Sequence, residues 1–404
     1  MELIITLLLI LGVEFASLCV VTAMPKPVNK RFTAFTLTVL CLLLSVTMYF
    51  IQPVPGSHTD LARIAKEMHR IQNGMFQEIL ADYVLNPLSA VYIGFAACLN
   101  DVNILKFTST LIFVGSLYVI LYLEWSRRSI SGQALAITAV LCAALINIPA
   151  TASGVRQGPS STLAILGAYL VLSRKKSWGW LLLIIATLLH ISSSVILILT
   201  LVVWINRRLL YILTSVCLLG YTVLSYGAVF ILNAMGNPAA AQLWGKMRMY
   251  YVFGSYFQLF ASPLAQIVSA AKFFICLAIF LLVRIMQRKD IEFDSRYVLF
   301  YMLMLMVCIG SLLTGTPFRR FVAISLFAAM PLLGYVLTYL LSGRRAASVI
   351  DRSGEMELRT VGEARRLALF RIVFWLMVAA MGLTMVYDWH TFVRLYLSAH
   401  QVYV

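Results

Sequence analysis

Apolar runs of nearly 20 residues recur from one end of this 404-residue chain to the other. Backbone inside hydrocarbon must satisfy its own N–H and C=O groups, and the open-chain solution is the α-helix. A closed barrel would show short alternating segments instead. With 61% hydrophobic and only 12% charged residues, the chain lies outside the range of soluble domains. The expected fold class is an all-α polytopic membrane protein, a single integral membrane domain over residues 1–404.

The clear runs are 3–23, 33–51, 104–123, 132–150, 156–173, 209–232, 263–284, 297–314, 321–341 and 368–388, which predicts about 10 full transmembrane helices. The first opens without a basic leader, as expected of a retained span rather than a cleaved signal. Six basic clusters separate the runs: Lys26/Lys30/Arg31, Arg127/Arg128, Arg174/Lys175/Lys176, Arg207/Arg208, Arg284/Arg288/Lys289, and Arg344 to Arg371. The positive-inside rule puts all six in the cytoplasm and both termini outside. The same rule accounts for the net charge of +16 without nucleic acid. The seven cysteines are scattered singly and show no metal or redox spacing.

One interval breaks the pattern. Only about 30 residues separate Lys176 from Arg207, and two full crossings need about 40. The expected answer is a re-entrant or broken helix pair with His190-Ile191-Ser192 at its tip. The alternative is one long tilted span with one basic cluster outside.

Residues 52–100 read as an outer loop with amphipathic and lateral helices. Leu61, Ile64, Ala65, Met68 and Ile71 would form one apolar face lying on the outer membrane surface. Residues 233–262 read as an outer aromatic loop and 342–367 as a cytoplasmic loop. Glu14 and Lys272, within spans, are candidates for internal polar contacts.

Several cations disobey positive-inside. Arg156 opens one span, Arg319 and Arg320 open another, and Lys246 and Arg248 lie in the aromatic loop. Cations converging on an outer cavity suit phosphate, because the guanidinium fork matches phosphate oxygens in pairs. Snorkelling to outer headgroups is the competing role for each. For His190 the competing role is a core histidine bonded to Ser192, Ser193 or Ser194.

Arg156-Gln157, then Arg174-Lys175-Lys176, then His190-Ile191-Ser192, and much later Arg320 to Pro331, form an ordered set. With Gly56-Ser57-His58-Thr59-Asp60 after the second span, this set resembles the EpsG-like branch of the Wzy-type polysaccharide polymerases, over about residues 45–335. The chain departs from the family pattern in Gln52 for a common Arg, in lacking a Tyr after Thr59-Asp60, and in lacking a Tyr after the late Arg.

The resemblance implies a GT-C-like polymerase architecture in the bacterial inner (cytoplasmic) membrane, with an active site facing the periplasm or cell exterior. It implies a membrane glycosyltransferase that joins undecaprenyl-pyrophosphate-linked oligosaccharide repeat units, in O-antigen or exopolysaccharide biosynthesis. No cofactor, nucleotide sugar or metal is expected. Partners would be the lipid-linked oligosaccharide, membrane lipids and, as a further candidate, a chain-length regulator protein, but no nucleic acid.

Arg156, Arg319 and Arg320 would hold the pyrophosphate, and His190 would bind it or take the acceptor proton. Asp60 is the other base candidate, or a helix N-cap. Gln157, Ser192, Lys246, Arg248 and Tyr251 are candidates for glycan or phosphate contacts. The aromatics Trp244, Tyr250, Tyr251 and Tyr256 would stack on sugars or form an interfacial belt. Two other functions fit the composition: an O-antigen ligase-type glycosyltransferase, and a transporter or flippase for lipid-linked oligosaccharide. The outer loops are short for a ligase, and no internal repeat supports a transporter.

Overall fold

The computed structural model describes residues 12, 26–50, 60–127, 130–145, 154–205, 207–236, 241, 244–245, 263–287, 294–312, 315–353 and 361–396. Among them the chain is helical, with no strand. Five stretches are long and apolar enough to cross a membrane: Lys30–Phe50, Asn103–Ser126, Pro263–Met286, Pro317–Leu341 and Ala368–Asp388. They belong to α1 (Lys26–Phe50), α5 (Asn103–Ser126), α12 (Pro263–Gln287), α14 (Gly315–Ser353) and α15 (Val361–Tyr396). The chain is a membrane protein.

Ten uniform spans are not what the described residues form. The run at 132–150 holds α6 (Gly132–Leu145), and the run at 156–173 gives α7 (Gln157–Leu172), 16 residues long. The run at 209–232 is divided at Gly220 into α10 (Arg208–Leu219) and α11 (Tyr221–Ala234). The run at 297–314 is α13 (Ser295–Gly310). Hydropathy counts the 209–232 run as continuous, whereas the helix is interrupted at Gly220. Residues 3–23 fall almost wholly outside the described residues, and Glu14 with them.

Four helices share one direction. In α5 and α14, Phe113 meets Phe327 with ring centroids 4.9 Å apart, and further along Tyr335 donates to Glu124. In α5 and α7, Leu105 and Val155 join one small apolar cluster, and further along Tyr169 donates to Glu124. In α12 and α14, Phe273 meets Phe318 at 6.0 Å, and Cys276 Sγ reaches the Val322 carbonyl at 4.0 Å. The end at which α5, α7, α12 and α14 begin is here the leading end, and the opposite one the trailing end. α1 and α13 run the other way: Tyr49, late in α1, meets Asp101 just before α5, and Tyr297, early in α13, donates to the Ala328 carbonyl of α14. The central helix is α14, almost wholly buried across its apolar stretch; α15 is peripheral.

Between α7 and α10 the chain forms a hairpin. α8 (Trp178–Leu189) turns back along α7, and α9 (Ser194–Ile205) returns after a single 3-10 turn at Ile191–Ser193. Gly167 and Gly179 let α7 and α8 touch, since a Cβ on Gly179 would lie 2.6 Å from the Gly167 carbonyl oxygen. Trp180, early in α8, meets Trp204, late in α9, at 6.2 Å. The interval between Lys176 and Arg207 is therefore a broken pair that returns on itself, the expected arrangement, rather than one long tilted span. Each arm has 12 residues, about 18 Å, well short of the roughly 30 Å hydrocarbon core.

The leading end is covered by α2 (Asp60–Gln72), α3 (Phe76–Asp82) and α4 (Pro87–Cys98). Leu61, Ile64 and Met68 of α2 are buried with Ile79, Tyr83, Ile93, Leu105 and Val155 in a second, smaller core. The apolar face of α2 thus packs on protein rather than lying on lipid, and Ala65 of that expected face is exposed. An apolar stripe finds protein or lipid equally acceptable, so periodicity alone does not choose.

Candidate functional site

His190 interrupts the helical backbone with φ −154° and ψ 122°. The interruption strips neighbouring groups of their helical partners, and two other elements supply replacements. Ser89 Oγ of α4 donates to the Leu189 carbonyl at 2.5 Å, and Ile191 N–H donates to Asn86 Oδ1 at 2.6 Å. Ser193 Oγ donates to Ser160 Oγ of α7 at 3.2 Å, and Ser193 N–H donates to the His190 carbonyl at 2.9 Å. The tip is thereby anchored to α4 and α7 at the leading end.

The imidazole is oriented by its own turn. Nδ1 lies 2.7 Å from Ser192 Oγ and accepts the Ser192 backbone N–H at 3.2 Å. A backbone N–H only donates, so Nδ1 is an acceptor and the neutral ring carries its proton on Nε2. The local bonding to Ser192 and the placement at a polar tip, offered by the sequence as alternatives, occur together.

Arg156 is the cap residue of α7, half-buried, with its guanidinium 4.9 Å from the Tyr83 ring centroid. Tyr83 in turn donates to Glu67 Oε2 at 2.6 Å, and Glu67 pairs with Arg63 at 3.7 Å. Burial pushes the Tyr83 phenol pKa up; Arg156 opposes this, and the bond to Glu67 adds to it. Among the described residues Arg156 has no carboxylate partner. Gln157 is the half-buried first residue of α7, and Val155 beneath it is fully buried.

Arg319 and Arg320 are half-buried in the second turn of α14. Because α5, α7, α12 and α14 are parallel, five cations from them lie toward one end. These are Lys106 in α5, Arg156 at α7, Lys272 in α12 and the Arg319/Arg320 pair. Lys272 is held by Asp388 of α15, with Nζ 2.6 Å from Oδ2, so this intramembrane lysine does make an internal polar contact. His190, through Asn86, Ser89 and Ser160, belongs to the same end.

Asp60 is the first residue of α2, on the flank of this region. Lys246, Arg248 and Tyr251, with Tyr250 and Tyr256, lie outside the described residues. Trp244 packs its ring on Tyr226 and Phe230, 5.1 and 5.5 Å between centroids. Among the described residues no three His, Cys, Asp or Glu side chains form a group able to hold a metal.

A family model described as EpsG matches residues 87–350. The chain belongs to the EpsG family. Membership ties it to polysaccharide biosynthesis and to a polymerase-type, glycosyltransferase-like role. The EpsG match includes Arg156, Gln157, His190, Ser192, Arg319 and Arg320. It begins after Asp60, so the Gly56–Asp60 resemblance lies beyond the matched stretch. No curated protein and no solved structure gives a significant match.

The tip supports were not singled out from sequence. Asn86-Pro87 is visible as an interruption of an apolar stretch, but nothing local says that Asn86 receives Ile191 from a hairpin 105 positions away.

Proposed function

We propose that this EpsG family member is a Wzy-type polymerase. It would join undecaprenyl-pyrophosphate-linked oligosaccharide repeat units at the outer face of the bacterial inner membrane. The observation that carries the reading is the gathering of Arg156, Arg319, Arg320 and His190 at one end of helices distant in sequence. The trailing end holds Arg127, Arg174, Lys175, Lys176 and Arg207, so positive-inside assigns it to the cytoplasm and the leading end to the periplasm. About ten crossings in a GT-C-like arrangement follow if α6, α7, α13 and the α10–α11 pair each traverse the bilayer.

In the reaction, the acceptor hydroxyl oxygen forms a bond to the anomeric carbon of the donor glycan. The bond from that carbon to the phosphate oxygen breaks, and undecaprenyl pyrophosphate leaves with the electron pair. The hydroxyl proton passes to a base. Arg156 and Arg320, with Arg319, would stabilise the charge growing on the departing diphosphate. Tyr83 would hold the Arg156 guanidinium beneath its site. His190, with Nδ1 occupied and Nε2 protonated, suits a hydrogen-bond donor to phosphate or glycan better than a base. Asp60 is the remaining candidate for the base. Gln157 and Ser192 would make lesser contacts, as would Lys246, Arg248 and Tyr251.

Single Arg156→Ala, His190→Ala and Arg320→Ala variants test the assignment through glycan chain length and protein level measured together. The polymer ladder should collapse to single units at unchanged protein level. Normal ladders from all three would refute it. Free lipid-linked polymer accumulating in their place would mark a ligase instead.

A further inference from the structure

The hairpin tip sets the depth of a second element. Lys175 and Lys176 at one foot and Arg207 at the other are exposed, and cations at helix ends settle at the polar boundary of a bilayer. With those feet at one surface, arms of about 18 Å stop short of the far side of a roughly 30 Å hydrocarbon core, and the tip lies within it. α4 is tied to that tip where it begins, by Asn86 to the Ile191 N–H and by Ser89 to the Leu189 carbonyl. Further along, Tyr92 donates to the Leu105 carbonyl in the first turn of α5 at 3.0 Å. Beyond α4 the chain reaches Asp101, just before α5, where the late α1 residue Tyr49 is bonded. α4 thus climbs from the tip toward the leading surface.

The sequence suits that depth. No charged residue lies between Asp82 and Asp101. One face of α4 is buried against the rest of the protein at Ala90, Ile93 and Ala97. The other presents Val91, Phe95 and Leu99, which are 54%, 56% and 51% exposed and, spaced four apart, form one stripe.

α3 widens this stripe. Its Phe76 and Leu80 are exposed, and the Phe76 ring lies against α4, 3.1 Å from where a Gly94 Cβ would stand. Two residues along a helix face nearly opposite ways, so Glu78 and Asp82 occupy the other side of α3. Both are exposed, and both pair with Arg70 of α2, at 3.1 and 3.2 Å. An uncharged face beside a charged one is the division expected where lipid meets water.

We propose that the α3–α4 face is a lipid-binding surface, covered by acyl chains of the leaflet at the leading end. In the orientation proposed above this is the outer leaflet. The lipid contact expected of α2 falls instead to the two helices beside it. This surface depends on the depth of the tip and not on what the tip binds.

The test places the photoreactive residue p-benzoylphenylalanine at position 91, 95 or 99 of the full chain, in liposomes of phosphatidylglycerol and phosphatidylethanolamine. After irradiation, intact mass spectrometry should find single-phospholipid adducts at all three positions. They should form about tenfold more often than with the same probe at position 78 or 82, because an interfacial helix sinks one face into acyl chains and leaves the other in water. Adducts no more frequent than at those two control positions would put the face in water and overturn the proposal. Covalent dimers in place of lipid adducts would also overturn it, by making a second copy of the chain the occupant.

Should the probe variants fail to fold, Cys98 gives a second measurement, because this native thiol is exposed and three residues past Phe95. In nanodiscs of the same lipids, a sulfonated maleimide should label Cys98 about tenfold more slowly than it labels Asp82→Cys, since a charged reagent is excluded from hydrocarbon. Equal rates would overturn the proposal.

Discussion

Trp180 and Trp204 meet edge to face with ring centroids 6.2 Å apart, one near the foot of the ascending arm and the other near the foot of the descending arm. Arg296 stands over the Trp204 ring, 5.5 Å from its centroid. The hairpin is therefore clasped at its feet as well as anchored at its tip. A group at the tip is fixed from both directions, which is what positioning a reacting group requires.

The α7–α8 crossing depends on the absence of side chains. A Gly179→Ala methyl group would press on the Gly167 carbonyl and on Val171, and both are fixed by helix backbone or tight packing. Thermal unfolding in detergent should show a loss of about 1–3 kcal/mol. An unchanged midpoint would mean that the helices separate more easily than their contact implies.

The tip anchors act on geometry. Asn86→Leu leaves the Ile191 N–H without its acceptor, at a cost of about 1–3 kcal/mol, and releases the tip from α4. Chain-length analysis should show shorter polymer from protein made at near-normal levels. Ser89→Ala should act in the same direction and more weakly.

The tautomer of His190 separates donor from base. His190→Gln keeps an N–H donor near Nε2, whereas His190→Asn keeps only an acceptor near Nδ1. Retained polymerisation in the Gln variant alone supports donation. Equal loss in both variants would identify a base.

Tyr83 offers a pH experiment outside the spanning helices. Its phenol pKa is raised, mainly by burial, so the protonated form is favoured in the folded state. The stabilisation is fully present below the unfolded value near pH 10 and is lost as pH rises above it. Tyr83→Phe should abolish that alkaline decline yet keep a ring beneath Arg156. Tyr83→Leu should also lower polymer length, because Arg156 then loses its platform.

The Lys272–Asp388 pair joins α12 to α15, and both side chains are mostly buried. Removing either partner leaves a buried charge unpaired, so Lys272→Met and Asp388→Leu should each cost about 3–5 kcal/mol in thermal unfolding. The double variant should be far closer to the parent. Additive losses would show that the two groups do not depend on one another.

Some of this was readable from the chain alone. The broken hairpin was the expected arrangement because the stretch between Lys176 and Arg207 is too short for two full crossings, and the alternative of one long tilted span would leave a basic cluster outside. The contact made by Lys272 followed from the cost of a charge in hydrocarbon. The register of α5 against α14 did not, because nothing in either helix says which aromatic of the other it meets. The apolar stripe of α2 carries no label for its partner, so periodicity does not distinguish the protein it meets from lipid. Gly220 divides an apolar run without altering its hydropathy, so counting runs overstates helix length there.

The short arms of the hairpin also set a reach. With its feet at the cytoplasmic surface, as the proposed orientation has it, an arm of about 18 Å in a roughly 30 Å slab would end about 12 Å beneath the other surface. In the proposed reaction a headgroup that meets the tip would descend that far, drawing its first sugars below the waterline while the rest of the glycan trails outside. Selection would then fall on the few rings nearest the lipid, and the distant end of a long polymer would go unread.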